Sequence, residues 1–191
     1  KWFTTTRDLE YKLTERDPID FKELSSTSDD TKVIIDDNVH YQKMFGIGSS
    51  LESSTCFNLM RMSEEDRMHT LSQLLDPVEG MGMNLMRITV GTSDFCPLPF
   101  YSYDDNGSVE DNLAKFSIDK DREYILPVLQ TVAKLYGSPL ESLHDDGDDK
   151  LRFFASSWSP PAWMKTSDTL QGGRYNTSNF KYYAEYLNKY V

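Results

Sequence analysis

Cysteine is scarce in this sequence: Cys56 and Cys96 are the only two in 191 residues, and neither belongs to a Cys-x-x-Cys pair or a Cys/His cluster. That argues against structural zinc and leaves either one disulfide or, the preferred reading, two reduced and buried thiols. Positive charge is also short. Twenty Lys and Arg stand against 31 Asp and Glu, a formal charge of −11 with pI near 4.7. A surface this anionic repels phosphate backbones, and no Lys/Arg cluster makes a local exception, so nucleic acid is not an expected partner. No apolar run approaches the roughly 20 residues needed to cross a bilayer, so no transmembrane segment is expected. The three histidines, His40, His69 and His144, are scattered. They form neither a Ser-His-Asp order nor a metal spacing, and no metal or cofactor is expected. No short internal repeat is visible. The chain opens abruptly at Lys1 without a leader-like stretch, which leaves a processed or missing N-terminus open.

Aromatic residues, in contrast, make up 13% of the chain and hydrophobic residues 38%. So many rings need a core or a ligand to cover them, which excludes wholesale disorder. Residues 1–41 read as β-strands broken by polar patches. Lys1-Trp2-Phe3-Thr4-Thr5-Thr6 and Lys32-Val33-Ile34-Ile35-Asp36 are the candidate strands, paired across a hydrophilic turn at 25–30.

From residue 42 onward the pattern alternates between strand and helix. Met44-Phe45-Gly46-Ile47-Gly48 is a short Gly-bearing strand. Ser63-Glu64-Glu65-Asp66 has the form of a helix N-cap, with Met68, Leu71, Leu74 and Leu75 on one face and Asp76-Pro77 as the stop. A second strand covers 84–90 and a second helix 125–136, with Pro127 in its first turn and Gly137 as its C-terminal cap. A third strand at 151–156 follows an acidic turn. An aromatic helix over 179–191 carries Phe180, Tyr183, Tyr186 and Leu187 at helical spacing. Such alternation predicts a parallel sheet with crossover helices.

In such sheets, ligand-binding side chains gather where strands end, and three places qualify. Gly46-Ile47-Gly48-Ser49-Ser50 has neither a following Gly-Lys-Ser/Thr nor a third glycine at dinucleotide spacing, so close strand packing is the better reading than phosphate binding. Asp94, just past a strand, is a good acceptor for sugar hydroxyls, but reads equally well as a turn cap or a partner of Arg87. Trp158 and Trp163 flank Pro160-Pro161 directly after a strand. An indole there can cover the apolar face of a pyranose, whereas Trp163 reads better as core.

Several stretches, in order, resemble the N-terminal part of glycoside hydrolase family 30, which includes the lysosomal glucosylceramidases. They are Val33-Ile34-Ile35-Asp36; Tyr41-Gln42-Lys43-Met44-Phe45-Gly46-Ile47-Gly48; Asn84-Leu85-Met86-Arg87-Ile88-Thr89-Val90-Gly91-Thr92-Ser93-Asp94-Phe95; and Ala155-Ser156-Ser157-Trp158-Ser159-Pro160-Pro161-Ala162-Trp163-Met164-Lys165. The resemblance implies an α/β fold: about the first three units of a (β/α)8 TIM barrel over 42–191, preceded by N-terminal strands of a β-sandwich over 1–41. It implies a retaining β-glycosidase with two catalytic glutamates, most readily a glucosylceramidase. It assigns substrate binding to Asp94 and Trp158 in one sugar pocket, with Arg87 shaping it. The implied partner is a β-glucoside or glucosylceramide, and a lipid substrate brings peripheral contact with lipid; an activator protein is left open.

Two departures stand out. Ser49-Ser50-Leu51-Glu52-Ser53 replaces the family's Gly-Gly/Ala-x-x-Thr-Asp, and the Asn-Glu-Pro triplet of the acid/base glutamate is absent. A barrel takes about 250 residues, so an N-terminal fragment lacking both glutamates, inactive by itself, is expected. A non-catalytic carbohydrate-binding or scaffold module is the rival reading. Within the family, β-xylosidase or β-1,6-glucanase specificity stays open. Asn106-Gly107-Ser108 and Asn176-Thr177-Ser178 are glycosylation sequons and, with the acidic pI, agree with a secreted or lysosomal protein.

Overall fold

The computed structural model describes residues 2–20, 22, 23, 31, 33–97, 99–136 and 151–191. The chain divides into two units, Lys1–Gln42 and Lys43–Val191.

In the first unit, β1 (Phe3–Thr4) pairs antiparallel with β2 (Thr14–Glu15), Phe3 opposite Glu15. The Arg16 guanidinium lies over the Tyr11 ring at 4.2 Å. The Trp2 indole N–H donates to the Asp17 carbonyl at 2.6 Å. The partner of the first strand is therefore a nearby segment and not 32–36, and closing the shorter loop costs less entropy. Val33, Ile34 and Ile35 form no strand and are at least 85% exposed. β-formers need a sheet edge to bond to, and the described residues offer 33–35 none. Lys32 and the whole of the expected turn, 25–30, lie outside the described residues.

The second unit is built around parallel strands. β3 (Leu85–Val90) pairs with β4 (Arg152–Ser157) from Leu85 opposite Arg152 to Val90 opposite Ser157. On the other edge of β3, segment 47–51 runs parallel and is bridged at Ser50 and Arg87. There the Arg87 N–H donates to the Ser49 carbonyl at 3.0 Å, and the Leu51 N–H to the Arg87 carbonyl at 2.8 Å. The strand-like stretch thus begins at Ile47, later than the expected Met44. Gly48 explains how it fits: a Cβ there would collide with the Leu85 carbonyl, so only glycine permits this approach. Among the described residues the three strands make an open parallel sheet and do not close into a barrel.

Helices cover the sheet. α1 (Ser53–Met60), which no sequence expectation covers, follows segment 47–51 directly. α2 (Glu64–Leu75) begins where Ser63 Oγ accepts from the Asp66 N–H at 3.0 Å and ends at Asp76-Pro77. α3 (Ile125–Tyr136) holds Pro127 as its third residue, where the missing N–H has no intrahelical acceptor to lose. Its expected cap, Gly137, lies outside the described residues, as does His144. Leu51, Cys56, Leu71, Met86, Val128 and Leu151 meet in the core under these helices.

α4 (Phe180–Tyr190) caps a second, aromatic core near the C-terminal ends of the strands, containing Val90, Tyr101, Tyr103, Met164 and Tyr186. Its inward face is centred on Tyr182 and Tyr186. Phe180, at helical spacing with Tyr183 and Tyr186, is exposed and stacks on Tyr175 at 5.0 Å. Cys56 is buried and Cys96 half-buried, and both are free thiols.

Candidate functional site

Beyond Val90 the chain turns at Gly91, which has φ +76°; a side chain there would also press on the Tyr101 carbonyl. Thr92 then fastens the base of the loop. Its N–H and hydroxyl both donate to the Tyr101 carbonyl (3.1 and 3.0 Å), while the Tyr101 N–H donates to Thr92 Oγ1 at 3.1 Å. Ser93 Oγ donates to Glu52 Oε2 at 2.7 Å and accepts from the Phe95 N–H at 3.2 Å. Asp94 protrudes between these anchors, exposed, and its carboxylate has no hydrogen-bond or ion-pair partner among the described residues.

The β3/β4 register places Ser157 opposite Val90, so Trp158 leaves the sheet at the same end as the Asp94 loop. Ser157 Oγ is hydrogen-bonded to the Tyr183 hydroxyl. Trp163 is half-buried against the aromatic core and its N–H donates to Asp104. Lys165 Nζ donates to Ser159 Oγ at 3.1 Å and to the Leu170 carbonyl at 2.9 Å, and burial lowers the pKa of this ammonium. This lysine ties the Trp158 loop to the next one. That loop turns back at Gly172 and Gly173, both at positive φ, to bring Tyr175 opposite Lys165.

Asp94 and Trp158 line one cavity of about 340 Å³, together with Ser93, Tyr101, Ser159 and Gln171. Its volume is in the range of small-molecule sites. Asp94 is the one charged residue among the described residues that line it. Trp158 is 44% exposed. A free carboxylate and a partly exposed indole lining one cavity suit a neutral, polyhydroxylated ring: the oxygens accept from hydroxyls and the indole covers C–H groups.

Arg87 is not in that lining. Its Nε donates to Ser50 Oγ at 3.2 Å, its Nη2 lies 3.6 Å from Glu52 Oε2, and its Cζ is 5.6 Å from the Trp158 ring centre. It therefore pairs with Glu52, not with Asp94, and supports the indole from beside the cavity. Glu52 and Tyr101 are absent from the sequence-based expectations. The signal for Glu52 is a carboxylate just after segment 47–51; Tyr101 has none, because its place is set by a loop closure.

A larger cavity of about 670 Å³ opens at the opposite end of the sheet, beside Phe45, Gly46, Asn84 and Arg152. Its polar groups are engaged: Asn84 Oδ1 accepts from the Ile47 N–H at 3.0 Å, and Arg152 stacks on Phe45 at 4.7 Å. The smaller cavity is the candidate site because it lies where parallel strands present their C-terminal ends. Among the described residues no group of three or more His, Cys, Asp or Glu could hold a metal ion, and no helix is long and apolar enough to cross a membrane.

Comparison with known proteins is consistent with this geometry. The endo-1,6-β-D-glucanase BGN16.3 of Trichoderma harzianum is 31% identical over 166 residues, covering 78% of this chain and 31% of that protein. Putative glucosylceramidase 2 of Caenorhabditis elegans is 29% identical over 167 residues, covering 82% and 29%. Among solved structures, the endo-β1,6-glucanase BT3312 superposes with a TM-score of 0.70 at 29% identity, covering 99% of this chain and 38% of that one. The chain thus spans less than a third of the length of these two curated relatives. Residues 44–191 match the model of the glycosyl hydrolase family 30 TIM-barrel domain, and the chain belongs to that family.

Proposed function

We propose that the whole protein hydrolyses a β-glucosidic bond with retention of configuration, and that the cavity between Asp94 and Trp158 receives the glucosyl ring. One observation carries this reading: two loops from adjacent parallel strands bring an unengaged carboxylate and a half-exposed indole to one small cavity. Asp94 takes ring hydroxyls, Trp158 packs against the ring's apolar face, and Arg87 with Glu52 braces the indole and the Ser93 turn. In a double displacement one carboxyl group attacks the anomeric carbon while another, about 5–5.5 Å away, protonates the leaving oxygen and later activates water. Neither is assigned within residues 1–191, which contain no Asn-Glu-Pro triplet. The first unit supplies strands to a β-sandwich in this reading, and the protein is secreted or lysosomal.

Glucosylceramide is the first candidate substrate, supported by the likeness to glucosylceramidases; it entails peripheral contact with lipid. β-1,6-Glucan is the second, favoured by the 31% identity to one endo-1,6-glucanase and by the superposition of 99% of this chain on part of another. Incubating the whole protein with an aryl β-glucoside, glucosylceramide and β-1,6-glucan tests both. Glucose released from glucosylceramide but not from glucan supports the first, and short oligosaccharides from glucan the second. No cleavage of any of the three overturns the proposal.

A further inference from the structure

Beneath the cavity lies a carboxylate that the proposed binding step does not use. Asp121, in the short 3-10 turn Asp119–Arg122, is 4% exposed. It accepts from the Tyr101 hydroxyl at 2.8 Å through one oxygen and from the Tyr103 hydroxyl at 2.6 Å through the other. No Lys or Arg pairs with it among the described residues. Removing a carboxylate from water without a counter-cation is costly, so both oxygens require good donors, and here the two phenols supply them. Both tyrosines belong to the aromatic core, but only Tyr101 also lines the cavity. Tyr103 stacks within the aromatic core, at 6.1 Å from Tyr186 and 5.4 Å from Tyr190. Tyr101 lines the cavity, and its backbone closes the loop that carries Asp94 through the three bonds to Thr92.

We infer that Asp121 is a positioning residue for the sugar site: by holding the Tyr101 hydroxyl it fixes the cavity wall and the Thr92–Tyr101 clasp, and so the place of Asp94. This rests on the reading of the cavity as the glucosyl site. The Asp94 loop is anchored on one side by Ser93 to Glu52 and on the other by Tyr101 to Asp121. Loss of the second anchor lets the carboxylate wander relative to Trp158. Small displacements of a binding group weaken every bond it makes to a rigid ring.

The test is steady-state kinetics of the whole protein on an aryl β-glucoside, with Tm measured alongside. Tyr101→Phe deletes only a hydroxyl, and Asp121→Asn keeps the side-chain shape while removing one of two acceptors. Each is expected to raise KM roughly three- to tenfold, as befits one lost hydrogen bond acting at a distance. Tyr103 does not line the cavity, so Tyr103→Phe is expected to lower Tm and leave KM within twofold. A purely structural carboxylate would lower Tm in all three and leave KM unchanged in all three. Asp94→Asn separates the two levels. If it raises KM while Tyr101→Phe does not, the positioning role is overturned and the site reading stands. If Asp94→Asn itself leaves KM and kcat unchanged, the site reading fails and takes this inference with it.

Discussion

Burial decides what the titratable side chains near the site can do. Cys56 is fully buried in the main core, and burial, with Asp121 and Glu52 adding negative charge nearby, pushes its thiol up to about 12. It stays protonated and inert at neutral pH. Half-buried Cys96 is also shifted upward by burial, but is the more accessible. Iodoacetamide at pH 8 is therefore expected to alkylate Cys96 first in the native protein, as read by peptide mass spectrometry; equal rates at both would contradict the burial described.

Asp121 behaves in the opposite sense to a salt-bridged acid. Desolvation raises its pKa, with the Tyr103 and Tyr101 hydroxyls opposing. The folded state then holds its proton at pH values where the unfolded chain has lost it. The contribution of this residue to stability is greatest below about 4, the ordinary carboxylate range, and declines as pH rises toward the raised native value. Subtracting the Tm-versus-pH curve of Asp121→Asn from that of the wild type should leave a component falling with pH just above 4. A component rising with pH there would show the carboxylate to be stabilised in its charged form instead.

Elements were legible where local chemistry alone dictates them. The Ser63 cap and the Asp76-Pro77 stop bound α2, and the apolar spacing of Ile125, Val128, Leu129 and Val132 defines α3. Replacing Ser63 by alanine leaves the Asp66 N–H without its cap and should cost about 1 kcal/mol by denaturant unfolding. No change would mean that the cap is not formed in solution. α1 has no sequence expectation because its inward apolar residues, Cys56 and Leu59, are too few to set a period by themselves. Residues 33–36 form no strand for a different reason: β-propensity reports a residue's fit to a sheet, not the presence of one. At the site, Asp94 and Trp158 stand in recognisable strand-end motifs, whereas Glu52 and Tyr101 arrive through a helix start and a loop clasp that no spacing encodes.

For the whole molecule, the arrangement of three parallel strands with their ends at one face is what gives the side chains a common purpose. Segment 47–51 brings Glu52, β3 brings the Asp94 loop, and β4 brings Trp158. The second core, rich in tyrosine, lies beneath these loops and holds them through hydroxyls as well as through packing. Residues 44–191 belong to glycosyl hydrolase family 30, and in the proposed function this cavity receives the sugar. The most direct measurement is kcat/KM of the whole protein on an aryl β-glucoside with Asp94 replaced by alanine. A charged acceptor bonded to a sugar hydroxyl is worth roughly 1.5–3 kcal/mol, so the account predicts a loss of about ten- to a hundredfold with an unchanged fold by circular dichroism. A kcat/KM within twofold of the wild type would contradict it.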